Sequence, residues 1–224
     1  MTILIYFLLI ITIPILVQFY LRRTFADHLR IAAASGLTGR EVARKILDAN
    51  GLYDVRVEEV RGKLTDHYDP TTKTVRLSSD NYYGSSIASV SVAAHEVGHA
   101  IQDAEHYAFL RFRHALVPLA TFGSNASFIF IFLGLLLYST NMILLGILTM
   151  AFAVLFQVVT LPVEFNASSR ALNQMVSLNV IGMNEEHAAR KVLNAAALTY
   201  VAATVVAVLE LLRFIMVYAG MNND

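Results

Sequence analysis

The sequence contains no cysteine, so it can form neither a disulfide nor a thiolate metal site. It carries no excess of either charge: 17 Lys and Arg balance 17 Asp and Glu. No long-range pull towards nucleic acid follows, and no basic patch interleaved with aromatics appears. Internal repeats and low-complexity tracts are absent. Charge is missing altogether from two long stretches, Ile3 to Tyr20 and Ala115 to Val163, which hold no acidic, basic or histidine residue. Hydrophobic residues make up 56 % of the 224, with a mean hydropathy of +0.56, too apolar for an ordinary soluble domain.

The first charge-free run is long enough, at ~1.5 Å per residue, to cross a ~30 Å hydrocarbon core. A cleaved signal peptide would need a basic start; here Arg22 and Arg23 follow the run, so it reads as an uncleaved anchor with its N-terminus outside. Pro14 is a candidate kink. The second run is too long for one helix and right for two, with Ser139-Thr140-Asn141 as the turn of a transmembrane hairpin. Pro118, Gly123, Ser124 and Asn125 are expected to distort its first helix or pack it closely on a neighbour. A last apolar span, Ala195 to Gly220, is interrupted by Glu210 and Arg213, expected to pair with each other.

The stretch around which the chain is organised is Ala93-Ala94-His95-Glu96-Val97-Gly98-His99-Ala100. In a helix, His95 and His99 share one face one turn apart, so two imidazoles can hold one metal ion. Glu96 lies ~100° round from His95, within reach of a water on that metal. The helix is expected to start at Ser85 or Ser86 and run to about Glu105 or His106, with Gly98 leaving space beside the metal. Catalytic zinc needs a third protein ligand. A histidine six residues after His99, with glycine three after it, would supply one; Glu105 and Gln102 stand there. No Asp-Gly occurs anywhere, which excludes the site-2-type intramembrane arrangement. A distant glutamate on a second helix remains.

Between the anchor and this helix, Thr38-Gly39-Arg40-Glu41 is a capping box that opens a short amphipathic helix within Ser35 to Gly51, with Val42, Ile46 and Leu47 as its apolar stripe and Asn50-Gly51 as its stop. Val55-Arg56-Val57 alternates, and Leu64 to Tyr68 and Thr74 to Leu77 flank the turn Asp69-Pro70-Thr71-Thr72. Two or three antiparallel strands are expected, with an edge that could pair with an extended peptide. Beyond the hairpin, a helix is expected to about Asn179, and another capped by Asn184 with Glu185 and Glu186 in its first turn.

Ser86 to Gln102 and Leu161-Pro162-Val163-Glu164-Phe165-Asn166-Ala167-Ser168 resemble the YugP-like neutral zinc metallopeptidases of bacterial membranes. The resemblance covers essentially the whole chain, including Tyr68-Asp69-Pro70. More distantly, the two motifs look like those of the HtpX and CAAX-prenyl-protease class, whose glutamate ligand lies in a Glu-Phe-x-Ala-Asp stretch after a membrane span. The resemblance implies that Glu164 is the third zinc ligand. At the position of that class's aspartate this chain has Ser168, so a carboxylate orienting a zinc histidine is missing there. Asp103 or Asn166 could substitute, and Arg170 is a candidate donor to the oxyanion.

The expectation is therefore a mainly α membrane protein: one membrane-embedded metallopeptidase domain over 1–224, with spans at about 3–20, 115–138, 142–161 and 196–219, a zincin-like helix and a small antiparallel sheet. Thirteen Lys and Arg lie from Arg22 to Arg113 and three from Arg170 to Lys191, so four spans put 22–114 and 162–195 on one side, the cytoplasm by the positive-inside tendency. The implied activity is hydrolysis of peptide bonds in membrane or juxtamembrane proteins by zinc-activated water with Glu96 as base. The partners are lipid and a protein or peptide substrate, with no nucleic acid. The competing reading is an inactive membrane scaffold whose zinc site is structural or vestigial; an intact Glu96 has no use in such a site.

Overall fold

Apolar periodicity and capping residues divide the chain into seven helices and one sheet in the computed structural model, which describes residues 3–221; Met1 and Thr2, the start of the anchor expected outside, lie outside the described residues. The helices are α1 (Ile3–Leu29), α2 (Gly39–Ala49), α3 (Ser79–Tyr82), α4 (Ile87–Ala104), α5 (Ala108–Leu136), α6 (Thr140–Ser177) and α7 (Glu186–Met221), and the strands β1 (Arg56–Val60), β2 (His67–Asp69) and β3 (Thr74–Ser78). Four helices, α1, α5, α6 and α7, are long and apolar enough to cross a membrane. Each extends beyond the span read from the sequence at one end or both, α5 only at its start, because helix formation does not stop where hydropathy falls.

Helix α6 shows this most clearly. The third span and the helix expected after it are one continuous helix with Pro162 inside. Proline's fixed φ suits a helix, and the lost backbone N–H costs one intrahelical bond rather than the helix. Glu164, two residues on, thus belongs to the same helix as the apolar run.

Two compact units arise. One comprises the chain up to Leu16, Ala108–Pro162 and the chain from Thr199; the other comprises Val17–Tyr107 and Val163–Leu198. In the first, α5 and α6 approach closely: a Cβ on Gly123 would lie 2.4 Å from the Thr149 carbonyl oxygen, and one on Gly146 would lie 2.5 Å from the Ile131 side chain. Small residues let two apolar helices meet at backbone distance. Arg213 packs on the rings of Tyr6, Phe7 and Phe214, and among the described residues no ion pair joins it to Glu210. The expected pairing thus gives way to aromatic faces, which hold a guanidinium without a second desolvated charge.

The second unit has a single core. In α2 the Thr38 capping box forms as expected, and Val42, Ala43, Ile46 and Leu47 are fully buried. Each of the larger three contributes about 1.5–3 kcal/mol of burial. Gly51 ends the helix with φ +72°, where a Cβ would be strained. The core continues through Val75 and Leu77 of β3, through Val90, Ala93 and Val97 of α4, and through Ala171, Leu172 and Met175 of α6.

The sheet order is β1-β3-β2. Strands β2 and β3 pair antiparallel, as their turn implied, with Asp69 accepting from the backbone of Thr71 and Thr72 and from Arg76. Strand β1 runs parallel to β3, so the sheet is mixed, not antiparallel throughout. The chain crosses from β1 to the far edge before returning down the middle, which reverses the direction a simple meander would give.

Candidate metal centre and active site

Helix α4 starts where its sequence says it should. Ser86 is the N-cap, its Oγ accepting from Ser89 N at 3.0 Å. The segment after α1 clamps that start: Ala33 N donates to Ser85 O at 2.9 Å and Ile87 N to Ile31 O at 2.8 Å. At the other end, Tyr68 Oη of β2 donates to Asp103 at 2.9 Å. Burial, aided by that carboxylate, pushes the Tyr68 hydroxyl pKa up, so it stays a donor. The helix is held at both ends, and its buried face carries Glu96.

Helix α6 packs against α4. Its backbone approaches α4 at Gly98, where a Cβ would lie 2.7 Å from Ala167 O. Gly98 therefore serves helix contact, and not merely room beside a metal. Gly98→Ala is expected to cost about 1–3 kcal/mol as the two helices part. A lower melting temperature of the metal-free chain, together with weaker zinc retention, checks it.

At that contact the structure brings His95, His99 and Glu164 together, with one ligand atom from each lying within 4.8 Å of the others. His95 Nε2 is 3.2 Å and His99 Nε2 3.5 Å from Glu164 Oε2. Zinc bonds of ~2.0–2.1 Å at tetrahedral angles put ligand atoms roughly 3.3 Å apart, so these two edges have the size the ion needs. The donor set also fits: two imidazoles and one carboxylate, with Glu164 2 % exposed and Glu96 8 % exposed. Two buried carboxylates side by side favour a divalent cation between the helices.

Glu96 belongs to the same cluster electrostatically. Burial pushes its pKa up; His95 and His99 oppose that, and Asp66 and Glu164 add to it. Asp66 is itself fixed, accepting from Ser78 N at 2.7 Å and from Asn81 Nδ2 at 2.9 Å. Burial and the neighbouring carboxylates thus raise its affinity for a proton, the property a proton acceptor needs.

The remaining expected residues fall out as follows. Ser168 Oγ lies 3.2 Å from His95 Nδ1, so this serine faces one of the two histidines. Asn166 Oδ1 accepts from Arg170 Nε at 2.7 Å and from Gln102 Nε2 at 2.9 Å. Arg170 also pairs with Glu105 through its Nη2 at 2.7 Å, so Nε and one terminal nitrogen of its guanidinium have partners in the protein. Asp103, expected behind a histidine, is taken by Tyr68 instead. Gln102 is not among the site residues expected from the sequence, yet it is fully buried with Oε1 3.0 Å from His99 Nδ1. Its position three residues after His99, on the same helix face, was the available signal.

The chain is 53 % identical over 207 residues, 92 % of each protein, to "Putative membrane protease YugP" of Bacillus subtilis (strain 168). No solved structure matches it. The family model described as "Putative neutral zinc metallopeptidase" matches residues 3–219, and the chain belongs to that family.

Proposed function

We propose that the chain is a membrane-embedded zinc endopeptidase that cleaves membrane or juxtamembrane proteins from the cytoplasmic side. The observation that carries the reading is the convergence of His95 and His99 of α4 with Glu164 of α6. Zinc held by these three side chains would supply a water of lowered pKa and polarise the scissile carbonyl. Glu96 would serve as the proton acceptor and would return the proton to the leaving amine. Ser168 and Gln102 hold the outer nitrogens of the two imidazoles. The low exposure of the site, 13 % and 12 % at the two histidine side chains, limits competing bulk water. β2 is an edge strand tied to α4 through Tyr68 and offers backbone groups to an extended peptide. An inactive scaffold would give no reason for a buried Glu96 beside the three ligands.

Purified chain in detergent is expected to retain one zinc and to cleave an unfolded protein, to lose cleavage on chelation and to regain it with zinc. Zinc retention without turnover of any unfolded protein or membrane-peptide substrate would favour the scaffold.

The orientation has its own test. Lys73 and Asn141 are expected on opposite faces of the membrane, with Lys73 inside, from the one-sided distribution of Lys and Arg. In intact cells an impermeant thiol reagent should label Asn141→Cys and spare Lys73→Cys. The reverse pattern would turn the protein over.

A further inference from the structure

The buried amide of Gln102 has its orientation forced by its surroundings. Its Nε2 donates to Val163 O at 2.8 Å and to Asn166 Oδ1 at 2.9 Å. The first acceptor is a backbone carbonyl, and the second is held as an acceptor by Arg170 Nε, which can only donate. Both amide hydrogens are therefore used, and the oxygen must face His99 Nδ1 at 3.0 Å. An amide oxygen only accepts, so Nδ1 carries the proton. In a neutral ring that leaves the lone pair on Nε2, the atom 3.5 Å from Glu164 Oε2.

The two histidines differ in this respect. His95 Nδ1 meets the Ser168 hydroxyl at 3.2 Å, and a hydroxyl can donate or accept. It leaves the His95 tautomer open. Gln102 also reaches the helical turn around Glu164: its two acceptors are the residues one before and two after that glutamate.

We propose that Gln102 is the positioning residue of this site: its side-chain amide sets His99 as the Nδ1–H tautomer, with Nε2 turned towards the metal, and locks the Val163–Asn166 turn that presents Glu164. This rests on the reading of His95, His99 and Glu164 as zinc ligands. A flipped amide would abandon two bonds to α6 and set its oxygen against two acceptors, Val163 O and Asn166 Oδ1, so the arrangement has one stable orientation.

The test compares wild type with Gln102→Met, Gln102→Asn and Gln102→Glu in the full-length chain in detergent. Zinc affinity is read by competition with a chromophoric chelator, and the His99 tautomer by ¹⁵N resonances of the metal-free chain. Wild type is expected to show His99 protonated at Nδ1. The Met variant has no acceptor and the Asn variant is too short to reach; both should show mixed tautomers and a roughly 10–100-fold loss of zinc affinity. The Glu variant keeps an acceptor towards Nδ1 and should keep the tautomer, with zinc affinity above that of the Met variant. Melting of each metal-free chain identifies a variant that has not folded; the Asn and Glu pair then decides the outcome. Zinc binding by the Met and Asn variants as tight as wild type, with His99 still protonated at Nδ1, overturns the proposal alone. A wild type that takes up no zinc overturns the metal reading and this role together.

Discussion

Glu96→Gln is expected to take up zinc as wild type does and to lose peptide hydrolysis by roughly a hundred- to ten-thousand-fold. The amide has the size of the carboxylate, and Glu96 is not among the three side chains that converge at the site. It cannot accept a proton from water. Glu96 is 8 % exposed and its ionised form is disfavoured by burial, so the neutral amide also costs the fold little. Zinc content by metal analysis and cleavage of an unfolded protein are measured on the same preparation. Zinc-dependent cleavage at the wild-type rate would remove Glu96 from the role of base.

The second large effect belongs to Glu164. Glu164→Ala removes one of the three proposed ligands, and its loss of zinc affinity should exceed the roughly 10–100-fold that losing a partner behind a ligand costs. Activity should vanish with the metal. Three other glutamates are the controls. Glu105 is a half-exposed partner of Arg170, Glu186 pairs with Arg190 on the surface of α7, and Glu210 lines an apolar pocket with Arg213. Alanine at each should leave zinc per chain nearly unchanged after dialysis against a weak chelator. Full occupancy in Glu164→Ala, with loss in one of the others, would mean that another glutamate binds the ion.

What could be read in advance was local or periodic. The helix bearing His95 and His99 is announced by its apolar flanks and by Ser86 as N-cap, and α2 by the box at Thr38 and Glu41. The four apolar helices follow from hydropathy alone. The β2–β3 pairing is local too, because Asp69 organises its own turn. The direction of β1 is not local: it depends on where the chain returns after residues 61–66, and nothing in the strand records that. The third span and the helix after it read as two elements, but a helix tolerates one missing N–H, at Pro162, when both flanks are helical. Gln102 was hidden for a different reason. A glutamine near a helix end looks like solvent-facing polarity, and only the arrival of α6 over it makes it a buried amide with three partners. Arg213 shows the converse, a charge that packs on two rings far away in sequence, Tyr6 and Phe7.

The unit that holds the site is interrupted in sequence by Ala108–Pro162. During synthesis the residues up to Tyr107 leave the ribosome with one wall of their core missing, because Ala171, Leu172 and Met175 have not yet been made. At ~5–20 residues per second the intervening segment alone takes roughly three to eleven seconds to translate. Throughout that interval the nascent chain has His95, Glu96 and His99 but no Glu164. Closure of this core is therefore a late event in biogenesis, coming only after the whole α5–α6 hairpin has been made, and a half-made chain has no finished centre with which to attack its neighbours.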